Sequence, residues 1–174
     1  MKVVFRKPDL DTCLTALILG VGAGDQLRLA PDGAAPAELA APAVLCIEAG
    51  GSGQVERGNY DHHAPGLDLP PACVQAWGRT GRDPALDRLV RYVALVDEAR
   101  PGAAVAFPSL SNVFSGMLLV TDGQREQFLD GIALLREVGA RGYDPFAPLP
   151  EVAAWGPYIA AKHANRHRVE AALA

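Results

Sequence analysis

Three ionisable side chains stand in a row at Asp61, His62 and His63. Two of the four histidines in this 174-residue chain are therefore neighbours beside a carboxylate. Imidazole and carboxylate groups together can hold a divalent cation or move protons during hydrolysis. Histidines at the end of a strand often form only hydrogen bonds, so the triplet by itself leaves both interpretations open.

A second pair of candidate ligands lies near the N-terminus, at Asp9 and Asp11. They follow segment 2–5, in which the continuous apolar run 3–5 predicts a short buried strand. Two carboxylates one residue apart can converge on a cation that prefers oxygen ligands. Turn and cap chemistry is the alternative, with Asp11 or Thr12 capping a helix predicted over 13–19.

Two further carboxylates occupy positions where the sequence predicts burial or a sheet edge that binds ligands. Glu48 ends the apolar run 44–47, a predicted buried strand, at the kind of sheet edge that binds ligands. Asp97 falls on the apolar face of a helix predicted over 84–100. A buried carboxylate is unfavourable unless it is paired or binds a metal. Solvation is the alternative for Glu48, and a buried arginine partner is the alternative for Asp97.

The elements that would position these side chains alternate between strands and helices. Predicted strands cover 2–5, 26–30, 44–47 and 55–60. This alternation is typical of an α/β fold with a parallel sheet. We therefore expect one domain over 1–174, with four to five parallel strands flanked by helices in a core at about 1–100.

The C-terminal part, about 101–174, carries helical patterns only. Ser109 and Asp122 are the predicted N-caps of two helices, and a last helix begins near Val152. Because the helical part follows the predicted sheet, we expect it to pack against the α/β core as an extension of the same domain.

Four elements taken together resemble the DHH phosphoesterase superfamily, which takes its name from the triplet. Segment 5–11, which reads Phe-Arg-Lys-Pro-Asp-Leu-Asp, is similar to the family pattern H-x-x-x-D-x-D. Glu48 stands where the family has an aspartate, residues 61–63 form the triplet, and Asp97 matches an aspartate on a following helix. The resemblance covers roughly residues 1–140.

The resemblance implies a metal-dependent hydrolase of phosphodiester or phosphoanhydride bonds, acting on a small phosphate-containing compound or a short oligonucleotide. Manganese is the implied cofactor, with magnesium as the alternative. The implied metal ligands are Asp9, Asp11, Glu48, His62 and Asp97. Asp61, His62 and His63 are the implied catalytic residues. Within this triplet Asp61 would orient an imidazole, and His63 would face the substrate phosphate.

Three departures from the family pattern bear on function. Phe5 replaces a histidine that binds one of two metals, and Glu48 replaces an aspartate. The glycine-rich G-G-G-H segment of the family's second domain does not occur in this sequence. Arg6 and Lys7 place two positive charges beside Phe5, so we expect them to bind substrate phosphate or to replace the missing metal.

The departures keep two other functions open. One is a degenerate domain that binds a nucleotide or a partner protein without turnover. The other is an α/β domain with a coincidental triplet, which convergence of Asp9, Glu48, His62 and Asp97 on one cleft would argue against. The chain could also be one domain of a longer protein, and a homodimer would cover the cleft that a missing partner domain leaves exposed.

A glycine-rich loop at 50–53 lies between Glu48 and the triplet. Its sequence, Gly-Gly-Ser-Gly, allows tight turning and leaves backbone N–H groups that suit anions. No Gly-Lys-Ser or Gly-Lys-Thr follows, so the loop is not a nucleotide-binding P-loop. We therefore expect a turn with an affinity for anions.

Composition narrows the classes of partner and location. The net charge is −4 without a block of like charges, which argues against long duplex nucleic acid. The three cysteines are widely spaced and predict buried, inert thiols. The longest apolar run, 14–24, is too short to cross a membrane, and the early aspartates do not fit a secretory signal. We expect a soluble cytoplasmic protein.

Overall fold

Four parallel strands form one sheet in the order β2–β1–β3–β4. The computed structural model describes residues 1–100 and 107–173. The strands are β1 (Lys2–Phe5), β2 (Gln26–Leu29), β3 (Val44–Ile47) and β4 (Asn59–Tyr60). From β1 the chain goes to β2, which lies on one side of β1, and then to β3, which lies on the other side of β1. This confirms the predicted α/β fold with a parallel sheet of four to five strands.

Seven α-helices lie in the described part of the chain. They are α1 (Leu10–Ile18), α2 (Pro36–Leu39), α3 (Ala72–Arg79), α4 (Asp87–Asp97), α5 (Leu110–Val120), α6 (Gln124–Ala140) and α7 (Gly156–Leu173). The region after residue 107 is helical, and Ser109 caps α5 as predicted, since its side chain accepts a hydrogen bond from the Asn112 N–H. The start of the predicted C-terminal part, 101–106, lies outside the described residues.

Two predicted helix starts are wrong. Helix α1 begins at Leu10 because Asp9, and neither Asp11 nor Thr12, is its N-cap: Asp9 Oδ1 accepts a 2.9 Å hydrogen bond from the Thr12 N–H. Helix α6 has Gly123 at its N-cap position in place of Asp122. Local propensity permits several neighbouring caps, and packing selects among them.

The predicted strand over 55–60 is also wrong in its first half. Residues Val55–Arg57 form a 3-10 helix, and Gly58 adopts a left-handed conformation with φ of +80°. A left-handed residue cannot continue an extended strand, so β4 is confined to Asn59–Tyr60. The short β4 nevertheless ends at the triplet, as predicted.

Strand β1 runs through the centre of the core. Val3 and Phe5 point to the face that carries most of the helices, and the Phe5 ring stacks on Phe128 of α6 with centroids 4.2 Å apart. Val4 and Cys46 point to the opposite face, where the short α2 supplies Leu39. This alternation follows the period of two in a strand. Phe5 is therefore a core residue.

The three cysteines have the buried environment that the sequence predicts. Cys13, Cys46 and Cys73 are free and buried, as predicted. No helix in ranges 1–100 and 107–173 is long and apolar enough to cross a membrane.

Candidate metal centre

The candidate ligands lie where the strand order of the sheet reverses. β1 and β3 are hydrogen-bonded neighbours, and their carboxyl ends lead to Asp9, Asp11 and Glu48. β4 is the next strand and leads directly to the triplet, while the C-terminal end of α4 supplies Asp97. A reversal of this kind leaves a crevice between the strand ends, where open α/β sheets bind ligands.

His62 lies at the centre of the cluster. Its Nε2 atom is 3.3 Å from Asp97 Oδ2, 3.7 Å from Glu48 Oε1 and 4.0 Å from Asp11 Oδ2. His63 Nε2 is 2.5 Å from Glu48 Oε2. The cluster contains two candidate metal sets that share His62, namely Glu48 with His62 and His63, and Asp11 with His62 and Asp97. Within each set the ligand atoms lie within 4.8 Å of one another.

Two polar atoms in this cluster are buried and have no hydrogen-bond partner among the described residues. They are Glu48 Oε1 and His62 Nε2. Glu48 is only 1% exposed, so the sequence-based alternative of a solvated carboxylate is wrong. Leaving such an atom unsatisfied costs about 1–3 kcal/mol. A cation between the two atoms would satisfy both, and the donor set therefore fits a metal.

The backbone at Glu48 is held in an unusual conformation. Its φ angle is +54°, in the left-handed region that side chains other than glycine rarely adopt. The Glu48 N–H donates a 2.8 Å hydrogen bond to the Tyr60 carbonyl, which fixes the residue after the end of β3. The fold thus aims this carboxylate at the crevice.

The carboxylates of the cluster repel one another. Burial, reinforced by the charges of Asp11 and Asp9, raises the pKa of Glu48 to about 9. Burial also raises the pKa of Asp11 to about 6, against hydrogen bonds that lower it, and burial raises the pKa of Asp97. A bound cation would lower these pKa values again, because it stabilises the ionised form of each carboxylate. The raised pKa values therefore lead to the same conclusion as the two unsatisfied atoms of Glu48 and His62, namely that the cluster fits a cation.

Asp11 has a structural role as well as a place in one metal set. Its two oxygens accept 2.8 Å hydrogen bonds from the N–H groups of Ala72 and Cys73, in the first turn of α3. These partners are 61 and 62 residues away in the sequence. The sequence did not predict this contact, because no local pattern pairs Asp11 with backbone groups so far along the chain.

Asp9 lies at the edge of the cluster and is already engaged. Oδ1 accepts from the Thr12 N–H, and Oδ2 is 2.8 Å from Lys7 Nζ. Asp9 belongs to neither candidate metal set. Asp9 raises the pKa of Lys7, and Glu48 and Asp97 contribute further. The structure thus places the Lys7 ammonium group beside the acidic cluster, next to the carboxylate that the resemblance assigns to a metal.

Asp61 connects the triplet to the glycine-rich loop. It is 4% exposed, and its carboxylate accepts a hydrogen bond from Ser52 Oγ. Its backbone carbonyl accepts a 3.0 Å hydrogen bond from Gln75 Nε2. No hydrogen bond in the described part of the chain joins its carboxylate to an imidazole. The contact with Ser52 was missed, because nothing in the sequence pairs a loop serine with this aspartate.

The remaining predicted residues lie around the cluster. The Asp97 side chain is 20% exposed and forms an ion pair with His62. Within the described ranges it forms no ion pair with an arginine. The His63 side chain is 40% exposed, and its pKa is lowered by burial and by His62. Arg6 is exposed, and its Nε donates a 3.2 Å hydrogen bond to the Pro31 carbonyl.

Two cavities flank the cluster. One, which we term the glycine-loop cavity, has a volume of about 390 Å³. Its lining includes Arg6, Glu48, Gly50, Gly51, Ser52 and His63. The other, which we term the α5 cavity, has a volume of about 340 Å³. Its lining includes Lys7, Asp11, Asp97, Ser111, Phe114 and Ser115. Each candidate metal set thus has a cavity beside it that could hold one part of a substrate.

A larger groove of about 910 Å³ lies away from the cluster, along α7. It is mainly apolar and includes His163 and His167, whose ring centroids are 4.5 Å apart. No third ligand among the described residues completes a metal set with this pair. The candidate metal sets of the described residues therefore all lie at the sheet edge.

Comparison with known proteins identifies no relative. A scan against protein-family models, a search of curated proteins and a search of solved structures each found no match to this chain. The functional proposal therefore depends on the geometry of the sheet-edge cluster.

Proposed function

We propose that the protein is a metal-dependent phosphoesterase of the DHH type that hydrolyses a phosphodiester or phosphoanhydride bond in a small nucleotide substrate. One observation carries the proposal: Glu48 Oε1 and His62 Nε2 face each other across 3.7 Å, both buried and without a hydrogen-bond partner in ranges 1–100 and 107–173. Asp11 and Asp97 complete a set of oxygen ligands with one imidazole, which suits Mn²⁺ and also Mg²⁺.

The convergence of the ligands supports the resemblance from which the proposal started. Glu48, His62 and Asp97 come from three separate elements and meet at one sheet edge, with Asp9 beside them. A coincidental triplet would not require a buried, left-handed glutamate aimed at its histidine. The convergence therefore argues against the coincidental interpretation.

The engagement of Asp9 favours one metal ion per chain. Asp9 belongs to neither candidate metal set and is paired with Lys7, and Phe5 is buried against Phe128 where the family pattern has a histidine ligand. The Lys7 ammonium group supplies positive charge at this place. We therefore propose a centre of one cation, held by Asp11, Glu48, His62 and Asp97, with Lys7 in place of a second cation.

The residues around this centre have distinct chemical roles. A divalent cation would act there as a Lewis acid towards a phosphoryl oxygen. Lys7 would stabilise negative charge that develops on the phosphoryl group. His63 is partly exposed and its lowered pKa favours the neutral imidazole, so it can accept or return a proton at the reacting oxygen. Asp61 would hold the Ser52 loop in place.

A second candidate is a domain that binds a nucleotide or a partner protein without turnover. The replacement of the histidine ligand by Phe5 and the ion pair between Asp9 and Lys7 favour it. Both candidates require an intact ligand set, but only the first predicts product formation.

The test is hydrolysis of bis(p-nitrophenyl) phosphate, pyrophosphate and a short oligonucleotide with Mn²⁺ and with excess chelator. We expect turnover that requires metal and falls more than about a hundredfold in Asp97→Ala and in Asp61→Ala. Asp68→Ala, at an exposed loop carboxylate, is the control and should retain activity. Metal binding without any turnover would support the second candidate, and a failure to bind metal would refute the proposed centre.

A further inference from the structure

The backbone that carries the two neighbouring imidazoles lies beyond the end of the sheet. Strand β4 ends at Tyr60, and within ranges 1–100 and 107–173 no backbone–backbone hydrogen bond uses the N–H or carbonyl group of His62 or His63. Their rings nevertheless lie together, with centroids 4.3 Å apart. The position of this backbone therefore depends on the residues that flank it.

The Ser52 hydroxyl joins the residues on both sides of the two histidines. Ser52 Oγ donates a hydrogen bond to the Asp61 carboxylate and accepts a 3.1 Å hydrogen bond from the Ala64 N–H. One hydroxyl group thus bridges the residue before His62 and the residue after His63. This bridge closes the segment that carries both imidazoles.

Helix α3 holds the same segment through Gln75. Gln75 Nε2 donates a 3.0 Å hydrogen bond to the Asp61 carbonyl and a 2.8 Å hydrogen bond to the Pro70 carbonyl, which lies just before the helix. The Asp61 carbonyl also accepts a 3.3 Å hydrogen bond from the Gly53 N–H. Because both carbonyls bind the same amide group, the Gln75 side chain is fixed and connects the triplet to α3.

The first turn of α3 also holds one of the proposed metal ligands. The N–H groups of Ala72 and Cys73 donate to Asp11, and Gln75 follows them in the same turn. Asp11 and His62 belong to one candidate metal set. Helix α3 therefore fixes, relative to each other, two ligands that are far apart in the sequence.

The position of His62 matters because its Nε2 atom lies 3.3–4.0 Å from the carboxylate oxygens of Asp97, Glu48 and Asp11. A small shift of the segment would move this atom away from all three. In metal sites, the hydrogen bonds that surround the ligands fix their orientation, and their loss weakens metal binding. Ser52 and Gln75 are placed to have this effect on the triplet.

We propose that Ser52 and Gln75 are positioning residues that hold His62 and His63 at the metal centre. The inference rests on the proposed function and adds to it two residues that are not ligands of the cation. Neither residue belongs to the four elements of the DHH resemblance. Their contribution comes from hydrogen bonds to the segment 61–64 alone.

The test measures the affinity for Mn²⁺ by calorimetry in Ser52→Ala, Ser52→Thr and Gln75→Met. Alanine lacks the bridging hydroxyl, and methionine keeps the length of Gln75 but has no donor. We expect the dissociation constant to rise about 10- to 100-fold in Ser52→Ala and in Gln75→Met. Ser52→Thr keeps the hydroxyl and should retain most of the wild-type affinity.

The chain offers matched controls where α5 ends and α6 begins. Thr121 Oγ1 donates a 2.9 Å hydrogen bond to the Asp130 carboxylate, and Gln127 Nε2 donates 3.0 Å hydrogen bonds to the carbonyls of Leu118 and Thr121. Thr121 and Gln127 are half-buried, like Ser52 and Gln75, and line neither cavity beside the cluster.

The controls separate positioning from general stability. Thr121→Val and Gln127→Met lose the same kinds of hydrogen bond as Ser52→Ala and Gln75→Met. In excess chelator each control should therefore lower the melting temperature about as much as its counterpart. The controls should leave the affinity for Mn²⁺ unchanged, because they do not contact the segment that carries His62 and His63.

Two outcomes would overturn this inference alone. One is an unchanged affinity for Mn²⁺ in both Ser52→Ala and Gln75→Met. The other is an equal loss of affinity in these variants and in their controls, since a general loosening of the fold would then account for it. Both outcomes require a wild-type protein that binds Mn²⁺, and failure of the wild-type protein to bind it would overturn the proposed function as well.

Discussion

Glu48 combines three unfavourable features at one position: burial, an unpaired oxygen and a left-handed backbone. A strained φ angle costs of the order of 1–3 kcal/mol, and an unsatisfied buried acceptor costs about as much. The proposed metal centre would account for the unpaired oxygen, since a bound cation would satisfy it.

The raised pKa of Glu48 predicts how stability without metal depends on pH. Between pH 7 and 9 the folded protein retains the Glu48 proton, because its pKa is about 9, whereas the unfolded chain has lost it near the ordinary 4.5. The folded state then binds more protons, so the free energy of unfolding falls as the pH rises, by up to about 1.4 kcal/mol per unit. Urea denaturation in excess chelator measures this slope.

Glu48→Gln provides the control for this pH dependence. The amide cannot ionise, so the stability of the variant should fall less steeply between pH 7 and 9 than that of the wild-type protein, and the slope that remains comes from other groups such as the buried thiols, whose pKa values burial also raises. With saturating Mn²⁺ the contribution of Glu48 to the pH dependence should vanish, because metal binding displaces its proton and leaves it ionised in both the folded and the unfolded state. An equal slope in the wild-type protein and in Glu48→Gln would show that another group titrates.

At the scale of elements, strand ends and helix ends position the site. Asp11 joins the start of α1 to the first turn of α3, and Asp97 comes from the last residue of α4. The two carboxylates lie in the same candidate metal set, but of the two only the Asp11 carboxylate accepts hydrogen bonds from backbone N–H groups of the described residues. Their substitutions should therefore differ in structural effect.

We predict that Asp11→Ala lowers the free energy of unfolding by about 2–4 kcal/mol even without metal, because two buried N–H groups of α3 lose their acceptor. Asp97→Ala should change it by less than about 1 kcal/mol in chelator, while abolishing stabilisation by Mn²⁺. Chemical denaturation with and without Mn²⁺ measures both quantities. Similar losses for the two variants in chelator would contradict the assignment of a structural role to Asp11.

The contact between α5 and α7 gives a second prediction at this scale. A Cβ at Gly116 would lie 2.0 Å from the Tyr158 carbonyl oxygen, so Gly116→Ala must push the helices apart. We expect a loss of about 1–3 kcal/mol in the free energy of unfolding. Gly78→Ala, in α3 with no atom within 4 Å of the added Cβ, should instead gain about 0.5–1 kcal/mol. A tolerated Gly116→Ala would mean that the helices pack less closely.

At the scale of the whole molecule, the sheet topology decides where chemistry can occur. The order β2–β1–β3–β4 places the reversal between β1 and β3, and both strands deliver carboxylates there. The cavities on either side give access from two directions. The apolar groove along α7 shares no residue with this centre.

The proposed centre predicts one Mn²⁺ per chain. Elemental analysis after equilibration and removal of free metal should give a ratio near one, because Lys7 and Phe5 occupy the place of a second metal site. The melting temperature should rise with the logarithm of free Mn²⁺ and return to its original value in excess chelator. A ratio near two would refute the role of Lys7 as a substitute for a cation.

The strands and most candidate ligands could be predicted because their signals are local. Runs 3–5 and 44–47 are continuously apolar, which is typical of buried parallel strands. Glu48 and the triplet follow such runs, and Asp97 interrupts an apolar helix face. A charge at such a position is informative by itself, because burial requires a partner or a ligand.

Tertiary structure decided which of these side chains are available to a ligand. Lys7 engages Asp9 and Ser52 engages Asp61, while backbone N–H groups of α3, distant in the sequence, hold Asp11 in place at the cluster. Glu48 Oε1 and His62 Nε2 are left facing each other. The sequence determined the residue types and the strands that carry them. Their pairing depends on packing between distant segments, which local patterns do not encode.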